Sequence, residues 1–196
     1  MDKEIHRKNL ASAAVTIINN TIGEDADREG LLETPRRFAE AWQFWTKGYS
    51  EDPAKYLKTF DGEGHNELIF QGGISVWALC EHHLAPFFGV CHIGYIPQGR
   101  IVGLSKFSRL VDVYIRRLTI QERATNQIAE IINTILNPTA VGVVMRCRHS
   151  CLEARGVQKA GTITYTSALR GAFKTNISAR SEFLRFVERA DTDCRL

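Results

Sequence analysis

What this chain lacks narrows its class before any motif is considered. No apolar run approaches the roughly 18–20 residues needed to span a bilayer, so no membrane role is expected. The first residues, Met1-Asp2-Lys3-Glu4-Ile5-His6-Arg7, have no apolar stretch of the kind a secretory signal carries, which points to a cytoplasmic protein. Neither sign of charge dominates. The 25 basic and 22 acidic residues leave a formal net charge of +3, which argues for neither nucleic acid nor an anionic membrane as partner. Cysteine is scarce and odd in number, at Cys80, Cys91, Cys147, Cys151 and Cys194, and no Cys-x-x-Cys pair occurs. A disulfide framework is thereby excluded, and a lone cysteine in a reducing compartment is by default a small buried hydrophobe. There is no internal repeat and no low-complexity tract.

What is there is a chain of two textures. At 196 residues and 44% hydrophobic it can bury one substantial core. Residues 3–20 read as an amphipathic helix, with Ile5, Leu10, Ala13, Ile17 and Ile18 near helical spacing. Thr34 as N-cap and Pro35 as first helical residue open a second helix. Phe38, Ala41, Trp42 and Trp45 give it an apolar face, and Gly48 ends it. A turn at Asp61-Gly62-Glu63-Gly64 marks the end of an N-terminal helical region, residues 1–60.

From Glu67 the period shortens. Residues 68–70, 74–77 and 87–96 are strand-like. A helix follows from Ser105, with Phe107, Leu110, Val111, Tyr114 and Ile115 in one stripe, and another runs from Thr119 to about Leu136. Residues 141–151 read as a strand with Val141, Val143, Met145, Cys147, His149 and Cys151 on one face. Residues 163–169 form another strand, and 178–188 a closing helix. The order predicts an α+β fold with a largely antiparallel sheet, in a domain covering residues 61–196.

Reactive groups concentrate in two places, Cys80-Glu81-His82-His83 and His149-Ser150-Cys151. Cys80 and His83, separated by two residues, can reach one ion from a turn, which frees His82 for chemistry. Cys151 is the natural third ligand, and thiolates with imidazole suit Zn²⁺. Three protein ligands plus a water is the catalytic arrangement, and His149 would be an acid/base group beside that water. Two alternatives stand beside it. His82 and His149 would hold only supporting hydrogen bonds, or Cys147 or His82 would close a structural zinc module that binds nucleotide or RNA without chemistry. The His-x-Glu and Pro-Cys-x-x-Cys signature of zinc deaminases is absent.

Two further features suit an anionic, heterocyclic ligand. Ser105, Lys106 and Arg109 occupy the first turn of a helix, where free N–H groups favour phosphate, and Arg155 follows Cys151 by four residues. Thr119-Ile120-Gln121-Glu122 fits a capping box in which Glu122 bonds back to Thr119. The other reading has Gln121 and Glu122 holding the hydrogen-bonding edge of a base such as guanine.

These residues resemble the GTP cyclohydrolase I family. The matching pieces are Gly23-Glu24-Asp25, Glu33-Thr34-Pro35-Arg36-Arg37, Cys80-Glu81-His82-His83 and Ile101-Val102-Gly103-Leu104-Ser105-Lys106. Gln121-Glu122-Arg123, His149-Ser150-Cys151, 154–158 and Ser181-Glu182-Phe183-Leu184 follow in family order, over roughly residues 5–190. The resemblance implies a tunnelling fold, an antiparallel sheet carrying two helices on one face, and Zn²⁺ on Cys80, His83 and Cys151. It implies GTP as substrate, with water attacking C8 of guanine, and formate and 7,8-dihydroneopterin triphosphate as products. His149 would protonate N7, His82 would handle protons at the ribose ring oxygen, and Ser105 would contact the ribose. Gln121 and Glu122 would hold the guanine edge, while Lys106, Arg109, Arg155 and Arg37 would face the triphosphate. It further implies a toroidal homodecamer with sites between subunits. This sequence departs from the family pattern at Glu40, where many relatives carry a basic residue, and at Gly161, Tyr165 and Arg170.

Overall fold

The structure, a computed structural model, describes residues 3–194; the outermost positions of the two expected domains, 1–2 and 195–196, lie outside the described residues. It divides into two compact units between Lys47 and Gly48, ahead of the composition change near residue 60. The reason is local. The Gly48 N–H donates to the Arg116 carbonyl, and a Cβ on residue 48 would lie 2.4 Å from the Val113 carbonyl oxygen. Glycine lets the chain pass that close, so residues from 48 onward belong with the later elements.

The first unit holds helices α1 (Lys3–Thr16) and α2 (Thr34–Trp45), which pack on each other. α1 widens into a π-helical turn at Ile17–Ile22 and stops at Gly23, whose φ of 79° is the left-handed conformation glycine adopts freely. Its buried face is set by Ala14 and Ile18, with Leu10 half-buried, whereas Ile5 and Ile17 stay exposed. The stripe is thus one residue off the expected Ala13 position. Thr34 is already helical and Glu33 is the N-cap, without a side-chain cap bond.

The second unit runs through β1 (Thr59–Asp61), β2 (Ile69–Cys80), β3 (Pro86–Ile96), β4 (Arg100–Val102) and α3 (Ser105–Ile115). It continues through β5 (Leu118–Thr119), α4 (Gln121–Leu136), β6 (Ala140–His149), α5 (Ser150–Glu153), β7 (Ile163–Gly171), α6 (Ala172–Thr175) and α7 (Ile177–Asp193). β1 and β4 form an antiparallel ribbon. The main sheet has the order β5-β2-β3-β6-β7 and is antiparallel except for the short β2–β5 pair. The fold is α+β, as the element order predicts.

Alternation along the strands sorts side chains to two faces. Val76, Ala78, Phe87, Cys91, Ile93, Val141, Val143, Met145 and Cys147 join the apolar stripes of α3 and α4 in the larger core. The opposite face carries a smaller core of Ala140, Val144, Phe173, Phe183 and Val187 under α6 and α7. Phe183 lies on the cross-strand pair Gly94 and Gly142, and a Cβ at either position would come within 2.6 or 2.7 Å of its ring.

On the same face a polar cluster fastens the end of α7. His92 is fully buried; its Nδ1 accepts from the Gly73 N–H, and its Nε2 lies 3.0 Å from Asp191. Arg146 pairs with Asp191 at 3.1 Å. Burial lowers the His92 pKa, and the opposing pull of Asp191 does not restore it.

Gly142→Ala is expected to destabilise the fold by about 1–3 kcal/mol through overpacking against Phe183, measured by chemical denaturation. A second expectation concerns acid. A depressed His92 pKa means the unfolded chain binds the proton first, so stability is complete above the ordinary value of 6.5 and falls as pH drops below it. Thermal melts between pH 8 and about 5 should lose part of this slope in His92→Asn.

Candidate active site

The site begins where β2 ends. Cys80 closes the strand and is buried, and the chain turns at once: the Leu84 N–H donates to the Cys80 carbonyl and the Cys80 N–H to the Ala85 carbonyl. Leu84 takes a φ of 53°, in the left-handed region, to make the turn. His82 and His83 are consequently exposed, with Nδ1 atoms 3.9 Å and 4.0 Å from the Cys80 sulfur. Glu81 fastens the turn from the side. Its N–H donates to the Thr119 carbonyl, and its carboxylate takes both guanidinium arms of Arg123. Arg123 holds the Glu81 carboxyl below its ordinary pKa.

β6 delivers the other half. The expected strand over 141–151 stops at His149, and Cys151 sits in the single helical turn α5 rather than on the strand face. Ser150 donates its hydroxyl to the Pro86 carbonyl at the start of the turn, and the Ala154 N–H returns to the Ser150 carbonyl. This curl carries Cys151 to Cys80. The ligand atoms of Cys80, His83 and Cys151 lie within 4.8 Å of one another, the metal-competent group found among the described residues. A tetrahedral ion with sulfur and nitrogen bonds of about 2.3 and 2.0 Å sets sulfur and nitrogen about 3.5 Å apart, so the 4.0 Å between Cys80 and His83 is close to what a metal requires. Burial and the Cys80 thiol push the Cys151 thiol up, and a bound cation reverses that balance.

A cleft of about 280 Å³ opens beside this group, lined also by His82, Phe87, Gln121, Glu122, His149 and Thr164. His149 stacks on Phe87 with ring centroids 4.8 Å apart, and its Nε2 lies 2.8 Å from Gln121 Oε1. Burial lowers its pKa, against the raising influence of Glu122 and Glu153. The capping box does not form. Thr119 is buried in β5 with its hydroxyl on the Ile120 carbonyl, and Ile120 is the N-cap without a side-chain bond, so Glu122 stays exposed in the cleft. Cys147 lies in the core, where burial pushes its thiol up to about 12, and it is not part of the metal-competent group found among the described residues.

The remaining candidates are not all here. Arg155 is exposed just beyond α5 and influences the Cys151 thiol. Ser105, Lys106 and Arg109 open α3, whose Ser108 bonds Gln71 near the far end of β2. Nine residues of strand at ~3.3 Å each separate Gln71 from Cys80, about 30 Å, so these three do not share the cleft of their own chain. Arg37 is exposed on α2 in the first unit, where neighbouring Arg36 is held between Glu33 and Glu40. Sequence reasoning missed Phe87, Thr164 and the Glu81–Arg123 pair. The charges of the pair were visible, but 42 residues part them and only the fold brings them together.

Residues 11–188 match the family model of GTP cyclohydrolase I. A protein named GTP cyclohydrolase 1 from Janthinobacterium sp. (strain Marseille) is 54% identical over 172 residues, covering 87% of each chain. One from Nitrosospira multiformis is 54% identical over 170 residues, 86% of this chain and 89% of its own. One from Corynebacterium glutamicum is 46% identical over 179 residues, 90% and 91% of the two chains. With a two-cysteine, one-histidine group at the mouth of its cleft, this chain belongs to the GTP cyclohydrolase I family of hydrolases.

Proposed function

We propose that this chain is a cytoplasmic, Zn²⁺-dependent enzyme that converts GTP to 7,8-dihydroneopterin triphosphate and formate, the first step of pterin and folate biosynthesis. The domain from residue 61 onward carries the chemistry in this reading. The observation that carries it is the convergence of Cys80, His83 and Cys151 beside a cleft containing two histidines and a carboxylate outside the ligand set. When bound, the ion supplies a water activated for attack on carbon.

The chain's own groups do the rest. His149, whose pKa burial lowers, takes up a proton released as water adds to C8 and passes it to N7 of the imidazole ring as the ring opens and formate leaves. His82 is exposed beside Glu81, at 3.9 Å, and serves the ribose ring oxygen during rearrangement and ring closure. Glu122 accepts from the amino group and ring N–H of guanine, with Gln121 next to it. Arg155 faces the triphosphate.

Ser105, Lys106, Arg109 and Arg37 enter from neighbouring copies in a toroidal homodecamer. Two features support this assembly. Ligand pockets are usually about 300–1,000 Å³, so the cleft of one chain is small for a nucleoside triphosphate. The edge of β2 before Leu79 and the outer edge of β7 also have no strand partner among the described residues, which invites edge-to-edge pairing between copies.

Metal-loaded protein given GTP should release formate and a product with the mass of dihydroneopterin triphosphate, fluorescent after oxidation. Cys151→Ala should lose both the bound zinc and the formate. Formate release from zinc-free protein would overturn the mechanism. Arg123→Ala, which frees the ligand turn without touching a ligand, is expected to weaken zinc binding about 10–100-fold, read by chelator competition.

A further inference from the structure

We propose that Gln121 is a positioning residue that holds His149 in one tautomer, Nε2 protonated and Nδ1 bare, and that it does not contact the substrate base. Its catalytic consequence rests on the GTP cyclohydrolase reading; the tautomer does not. Gln121 is 1% exposed, and its amide nitrogen lies 3.1 Å from the Met145 carbonyl, 3.0 Å from the Thr164 carbonyl and 3.1 Å from Thr166 Oγ1. Carbonyl oxygens only accept, so the nitrogen end must face them; a flipped amide would set its oxygen against two others. Oε1 is thereby turned to His149 Nε2 at 2.8 Å. An amide oxygen also only accepts, so that ring nitrogen must carry the proton.

Two threonines lock the arrangement. Thr125 donates its single hydroxyl proton to the Gln121 main-chain carbonyl at 2.7 Å. Thr166 must then donate to Thr125 across 2.7 Å, which leaves its oxygen as an acceptor for the Gln121 amide. Phe87 holds the imidazole plane by stacking 14° from parallel. The amide hydrogens are shared among three acceptors, so the Gln121 side chain has no hydrogen left for a guanine edge, and exposed Glu122 is the side chain presented to it. Nδ1 becomes the only ring atom of His149 able to take up a proton.

The test uses zinc-loaded protein labelled with ¹⁵N-histidine. Long-range proton–nitrogen NMR, with His149 identified by its loss in His149→Asn, should give the Nε2–H pattern in the wild type. Gln121→Leu should abolish that single pattern and lower kcat about 10–100-fold, with KM for GTP changed less than about twofold. An Nδ1–H form in the wild type would overturn the proposal, without need of any variant. So would a raised KM at unchanged kcat, the mark of a base contact, or a lower kcat with the tautomer preserved. Should Gln121→Leu fail to fold, Thr166→Val, which leaves both carbonyl acceptors in place, is expected to keep the Nε2–H pattern, and an Nδ1–H form in that variant would overturn the orientation of the amide. A wild type that releases no formate from GTP would sink the functional reading, while the spectrum still decides the clamp.

Discussion

The cleft depends on the register of three strand ends. Leu79 lies opposite Pro86, and Phe87 opposite His149, so the last residues of β2 and β6 meet the first of β3 at one end of the sheet. Side chains alternate with period two. Sliding β6 by one residue would turn His149 to the α7 face and put Arg148 in the cleft. The same slip would pull Val141, Val143, Met145 and Cys147 out of the core beneath α3 and α4. Each fully buried side chain of this size contributes about 1.5–3 kcal/mol, so four of them far outweigh any polar preference at the strand end. The geometry of the site is held by apolar residues remote from its chemistry.

Within that frame, the ligand turn is strained and must be restrained. A leucine at φ 53° is uncommon, and such a conformation persists only where its surroundings over-determine it. Here they are two main-chain bonds closing on Cys80 and the Glu81 bonds to Thr119 and Arg123. The second pair ties the turn to β5 and to the first turn of α4, the segment that also supplies Gln121 and Glu122. The turn that carries Cys80 and His83 is thereby tied to the segment that carries Gln121 and Glu122.

What was legible in the sequence was what is local. Periodicity marked the stripes of α3 and α4 and the inward face of β6, and spacing paired Cys80 with His83. Ligand partners seventy residues apart were legible only because thiols are rare in this chain. Misreadings arose where a distant contact overrode a local preference. Thr119 has the spacing of a cap, but pairing of β5 with Cys80 buries it as strand. Ala13 and Ala14 are indistinguishable by type, and packing chose Ala14. The side-chain bonds of Gln121 were not legible at all. Its three acceptors come from β6 and β7, so only the assembled sheet reveals that it faces inward.

One termination decides which thiol is available. Cys147 and Cys151 are four residues apart and share a parity along β6, so an uninterrupted strand would give both the same face. Cys147 remains in the core, where burial keeps it protonated at any physiological pH. Because the strand ends at His149 and curls through α5, Cys151 leaves that environment for a shallower one beside Cys80 and within the influence of Arg155. A thiol binds metal as thiolate, so a site needs enough water and positive charge nearby for the proton to leave. His149, at the last position of the strand, receives the intermediate treatment: half-buried on Phe87, its pKa lowered by burial, and bonded to the Gln121 amide. The gradient from core to cleft over five residues of one strand end separates a buried thiol, a half-buried imidazole and a thiol of the metal-competent group, with no change in residue chemistry between the first and the last.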